Sequence, residues 1–281
     1  MIIDFHTHIF PDKIASRTID HLSSLCGVPP SIDGTKQDLL RSMDEAGIDL
    51  SVVLPVVTNP AHFNSVQQFA AEVNSHQRLI SFGGIHPDCD DIEQKLNTIV
   101  QLGLPGIKLH PDYQGTYADD PRYMHIVREA IRRNLIVLYH AGVDIGLPEV
   151  HYSAPDRFVR LLDELQIDSQ PDAKIVLAHT GGFQYWEDVY NLLAGRNVYF
   201  DLSFTAPYAS DEMIMSIIHR HGTDRILFGT DCPWKNQKEY LAHIRSLPLS
   251  TAQMEDVLGK NAAKLLDLTL TDHIFEHETN A

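Results

Sequence analysis

The chain has 281 residues, 43% of them hydrophobic, and a net charge of −16 with histidine counted neutral. That length allows one large α/β domain or two ordinary ones with a full core, while the acidity sets the surface against phosphate backbones and anionic lipid, so neither nucleic acid nor membranes are expected as partners. Cys26, Cys89 and Cys232 are too few and too scattered for a disulfide framework, no run approaches the roughly 20 apolar residues of a membrane helix, and the N-terminus lacks a basic-then-apolar leader, so a reduced, cytoplasmic protein is expected.

The opening stretch MIIDFHTHIF predicts a strand over 2–6. Alternate residues of a strand share a face, so His6 and His8 stand side by side. Two imidazoles on one rigid face suit a metal ion, although two half-exposed histidines near a strand end would look the same. Seven further β-branched runs follow at 51–57, 79–85, 106–110, 135–140, 174–179, 197–203 and 225–231. They are continuously apolar rather than alternating, as strands buried on both faces are. Helical patterns separate them at 35–47, 66–77, 91–103, 122–134, 155–166, 185–195 and 210–222, and two more follow the last strand at 236–247 and 250–266. Gly47, Gly103, Gly195 and Gly222 fall where helix-ending glycines belong.

Eight strand–helix units in one chain predict an α/β fold, a single-domain (β/α)8 TIM barrel over 1–268. A doubly wound open sheet is the other candidate, but no GxGxxG follows the first strand. Residues 269–281 read as a tail or a terminal helix, which could mediate a homo-oligomer.

Barrel chemistry collects at the C-terminal ends of the strands. There the sequence places His6 and His8 on strand one, His86 just after strand three, His110 on strand four, His140 on strand five, His179 on strand six and Asp231 on strand eight. A single such histidine is usually structural; a set of them around one axis points to a metal centre. Lys108 shares the strand-four face of His110 and reads as a buried amine paired with a nearby carboxylate. Asp231 could instead cap the helix that follows it. The long loop after strand five and GGFQYW after strand six would build a substrate wall, with His151, Tyr152, Phe183 and Trp234 as lining candidates. Asp112, Tyr113 and Arg122 are weaker ones.

DFHTH, YHAG, LAHTGG and FGTDCPW, in that order at the ends of strands one, five, six and eight, resemble the amidohydrolase superfamily, and more closely its amidohydrolase-related branch, from Met1 to about Leu268. The resemblance implies that His6, His8, His140 and Asp231 hold one divalent ion, with a second left open that His179 or a carboxylated Lys108 would take, and with His110 as a contact for metal or substrate. It implies that Asp231 moves the proton and that His179 activates water or polarises the substrate. Imidazole and carboxylate ligands suit zinc first. The expected activity is hydrolysis of a small-molecule amide, lactone or ester by metal-activated water. The alternative is a lyase, a decarboxylase or hydratase acting on an unsaturated or aromatic carboxylate, though no arginine sits beside a strand-end motif to anchor a second carboxylate. A deoxyribonuclease of the same superfamily would carry a glutamate where strand four reads GIKLHP, and a barrel that binds metal without turnover would leave His179 and Asp231 unexplained.

Overall fold

A computed structural model describes residues 1–268; the expected tail or helix over 269–281 lies outside the described residues. The strands are β1 (Ile3–Thr7), β2 (Leu50–Val53), β3 in two segments (Leu79–Ser81 and Gly83–Gly84), β4 (Gly106–Leu109), β5 (Ile136–Tyr139), β6 (Ile175–Leu177), β7 (Tyr199–Asp201) and β8 (Ile226–Leu227). All pair in parallel with their chain neighbours. Backbone hydrogen bonds close the cylinder, from Phe5 N to the Phe228 carbonyl at 2.8 Å and from His8 N to the Cys232 carbonyl at 2.7 Å. The fold is the expected TIM barrel.

The alternation of side chains sorts two cores. Leu50, Val52, Ile136, Leu138, Val176 and Leu227 meet Ile3, Phe5 and Phe82 in one buried cluster inside the cylinder. Their strand neighbours, among them Val53, Ile107, Val137, Tyr139 and Ile175, pack outward against the helices. The inner cluster also takes in Ala262, Ala263 and Leu265, so the last helix among the described residues, Asn261–Leu265, stoppers the end of the barrel opposite the strand C-termini. Each buried aliphatic or aromatic side chain contributes about 1.5–3 kcal/mol.

β1 departs from simple alternation. Ile3 pairs with Leu50 and Asp4 with Ser51, but Thr7 pairs with Val53, so one extra residue lies between. Such a bulge re-aims the side chains beyond it. Asp4 turns outward to accept from Gln237 Nε2 at 2.7 Å and Thr230 Oγ1 at 2.6 Å, whereas His6 turns inward.

The expected helices are present, with ends shifted by a few residues. The segment 185–195 differs: a short helical turn, Trp186–Asp188, runs into a π-helical turn, Val189–Leu193. Sequence reading also missed α1 (Asp12–Cys26), an extra helix between β1 and α2 (Lys36–Ala46). Its buried face is thin, only Ala15 and Ile19, and it ends at Gly27 in the left-handed conformation, φ +70°. α3 (Phe63–Asn74) follows β2.

Candidate metal centre and active site

The strand C-termini open into a cavity of about 770 Å³. On its floor, His6 Nε2 lies 3.1 Å from His8 Nε2, and Asp231 Oδ1 lies 3.6 Å from the first and 3.2 Å from the second. The outer nitrogens settle the tautomers. His8 Nδ1 is 2.9 Å from the Leu54 carbonyl, which can only accept. His6 Nδ1 donates to Asp201 Oδ2 at 2.9 Å. Both Nε2 atoms therefore present lone pairs to each other and to a carboxylate. Such a set is held together by a cation, and outer-shell acceptors of this kind are what orient metal-binding imidazoles. A divalent ion fits this donor set.

Lys108 is buried with its Nζ 3.3 Å from His6 Nε2. No carboxylate oxygen among the described residues comes within ion-pair distance of it. Burial lowers its pKa to about 8, against the pull of Asp201, Asp231 and Asp144. Burial likewise drives His6 well below the usual histidine value, with the Lys108 charge adding to it.

His179 donates from Nδ1 to the Ser203 carbonyl at 3.1 Å, and its Nε2 lies 3.1 Å from His140 Nδ1. His140 stacks on His110 with ring centres 4.2 Å apart. Its Nε2 is buried without a hydrogen-bond partner among the described residues. The donor atoms fall into groups: His6, His8 and Asp231 in one, and His110, His140 and Asp144 in another. His179 neighbours both His6 and His140, with ring centres 5.1 and 4.9 Å apart, and His110 Nε2 lies 3.4 Å from Asp144 Oδ2. Burial lowers the pKa of His110 and His140 well below the ordinary value.

Among the expected lining residues, Phe183, Trp234 and Tyr113 face the cavity. His151 does not; it is exposed and bonded to Tyr185 Oη and the Pro148 carbonyl. His86 is buried outside the cavity, its Nδ1 accepting from Asp88 N at 3.1 Å. Asp112 accepts from Ser153 Oγ at 3.0 Å behind the wall, and Arg122 is spent on surface pairs with Asp120 and Asp88. Nor is Asp231 a helix cap: Asn236 caps the helix Gln237–Ser246.

Sequence reading missed Asp201, Ser203 and Asp144. Asp201 accepts from His6 Nδ1 and, through Oδ1, from the backbone N–H groups of His179 and Ser203. The available signal was an aspartate ending the seventh apolar run, as Asp231 ends the eighth.

The backbone around the floor is strained. His179, Thr180, Phe204 and Asp231 have φ of 58°, 56°, 53° and 66°, each costing on the order of 1–3 kcal/mol. They are pinned by bonds such as Asp231 N to the His6 carbonyl at 2.8 Å. Gly229 must be glycine, since a Cβ there would come within 2.9 Å of His6 Cβ.

A family model described as Amidohydrolase matches residues 3–268. The 2-amino-3-carboxymuconate-6-semialdehyde decarboxylase of Dictyostelium discoideum is 22% identical over 95% of this chain and 91% of its own length. An uncharacterised TIM-barrel protein from Bordetella bronchiseptica superposes with a TM-score of 0.78 at 20% identity, covering 95% of this chain and 98% of its own. A dihydroxybenzoic acid decarboxylase from a Polaromonas species, solved with bound manganese and an inhibitor, gives 0.70 at 16% identity over 98% and 99% of the two chains. The hydrolase expected from the sequence is contradicted by these relatives, since those with a named activity are decarboxylases. Zinc, the first choice from ligand type, has no support from the Polaromonas protein, whose metal is manganese.

Proposed function

Because the chain belongs to the amidohydrolase family, we propose that it is a divalent-metal-dependent decarboxylase of a small aromatic or unsaturated carboxylic acid. The observation that carries this reading is the convergence of His6 Nε2, His8 Nε2 and Asp231 Oδ1 within 3.1–3.6 Å of one another on the cavity floor. The decarboxylase relatives of the same family favour this chemistry over hydrolysis.

His6, His8 and Asp231 would hold the ion, with His140 beside His179. Manganese and zinc both suit this mixture of imidazole and carboxylate. When bound, the ion supplies a Lewis acid that grips an acidic substrate and withdraws electron density from it. Asp201 and the Leu54 carbonyl keep the two imidazoles turned toward the ion.

Decarboxylation breaks one carbon–carbon bond and leaves its electron pair at a carbon that must take up a proton. Asp231 opens to the cavity beside His8. Protonated from cavity water, it would deliver that proton to the carbon as carbon dioxide departs. His179, fixed by the Ser203 carbonyl, orients the substrate's polar substituent beside the reacting carbon.

The test is carbon dioxide release from a dihydroxybenzoic acid and related aromatic acids by protein loaded with manganese or zinc. Chelation should stop it and returned metal restore it. Asp231→Asn should lower turnover by about 10²–10⁴-fold. A fully metallated protein that releases no carbon dioxide from a broad acid panel would remove the proposal.

A further inference from the structure

Building on the decarboxylase reading, we infer that the substrate is a monocarboxylic acid bearing an apolar extension, which lies between α1 and α3 while the carboxylate reaches the floor. The cavity, about 770 Å³, falls in the upper part of the roughly 300–1,000 Å³ range that encloses drug-sized ligands. A one-ring acid would leave most of it empty.

Its two ends differ in chemistry. The floor is polar, with His6, His8, Lys108 and Asp231. The outer half is mainly apolar: Ile14, Leu22 and Leu25 come from α1, and Val66 and Phe69 from α3, with Thr18, His21 and Ser65 among them. At the mouth, Ile14, Leu25 and Leu147 are 38%, 45% and 38% exposed. Grouped exposed apolar side chains mark a binding surface, and these line the same cavity as the floor residues. The occupant is therefore continuous from rim to floor.

Charge narrows the class further. Among the described residues lining the cavity, Lys108 is the sole lysine or arginine, and it is buried beside His6. The carboxylates of Asp144 and Asp231 also face the cavity. With the ion and Lys108 both on the floor beside the first carboxylate, a second acid group farther out would meet no lysine or arginine, and an unpaired buried charge is costly. α1 is an addition to the βα repeat, lying between β1 and α2, and its thin core face leaves Ile14, Leu22 and Leu25 to line the cavity.

Calorimetric titration of the manganese-loaded protein with benzoate, para-butylbenzoate, para-octylbenzoate and isophthalate tests this. The butyl compound should bind at least about tenfold more tightly than benzoate, the octyl compound more tightly still, and isophthalate more weakly than benzoate. Leu25→Glu combined with Ile14→Glu, both at exposed positions, should shrink the octyl-to-benzoate ratio. Affinity that is flat along the series, or a preference for isophthalate, overturns the inference. Carbon dioxide release from aromatic acids together with a flat series would sink this inference alone. A steep series without turnover of any acid would support the apolar seat and sink the decarboxylase reading alone.

Discussion

The two halves of the barrel interior use the same strands for opposite purposes. Toward the strand N-termini the inside is apolar: Ile3, Phe5, Leu50, Phe82 and Leu138 are fully or almost fully buried, with the helix Asn261–Leu265 as stopper. Toward the C-termini the inward positions carry His6, Lys108, His140 and Asp231, and the backbone there holds left-handed φ values at His179, Thr180, Phe204 and Asp231. The first half lowers the free energy of folding by burying apolar area; the second gives some of that stability up by burying charge and strain. The lesson is that the lower half makes the upper half affordable.

The largest contrast should appear within β1 and its extension. Phe5 is fully buried and packs edge-on against Phe82, ring centres 5.9 Å apart. Phe5→Ala should cost about 3–5 kcal/mol of stability in urea denaturation, while the folded fraction keeps its metal. His8, three residues on, bonds outward only to the Leu54 carbonyl. His8→Ala should cost about 1 kcal/mol yet weaken metal binding by more than about 100-fold, since outer-shell changes alone cost 10–100-fold. Equal stability losses in the two variants would erase the division between the halves.

Lys108 sharpens the contrast on a smaller scale. Its pKa falls from 10.5 to about 8 because folding buries the ammonium. Between these values the unfolded chain binds more protons than the folded one, so this group makes stability rise with pH from about 8 to 10.5. Below 8 the full penalty stands, about 3 kcal/mol. In chelator-treated protein, Lys108→Met should be more stable than wild type near pH 7, and the gap should close by about pH 10.5. Two parallel pH profiles would mean that the buried charge costs nothing.

Much of the barrel was legible because strands buried on both faces leave continuous apolar runs, and because each polar strand end interrupts such a run. His6, His8 and Asp231 stood out for that reason, and they meet at the floor. What could not be read depended on contacts across the sequence. The β1 bulge that separates Asp4 from His6 is a matter of register with β2. Asp201 looks like any strand-end aspartate until His6 Nδ1 is found 2.9 Å away. α1 escaped because only Ala15 and Ile19 bury its inner face. His151 misled because a polar aromatic in a long loop gives no hint of which way it turns. Hydrolysis was expected over decarboxylation because one set of ligands serves both reactions.

The smallest effect separates a cap from the proposed metal-binding carboxylate five residues apart. Asn236 Oδ1 accepts from Glu239 N at 3.1 Å and starts the helix Gln237–Ser246, so Asn236→Ala should cost about 1 kcal/mol, a melting shift of roughly 2–4 °C for a chain of this size. Metal affinity should not change. Asp231 sits at φ 66° with its carboxylate toward His6 and His8. Asn tolerates that backbone conformation, so Asp231→Asn should melt closer to wild type than Asn236→Ala does, while its metal titration weakens. Should Asp231→Asn instead lose the stability of a missing cap and keep its metal, the carboxylate would belong to the helix rather than to the floor, and the boundary between the two halves would have been drawn one turn too low.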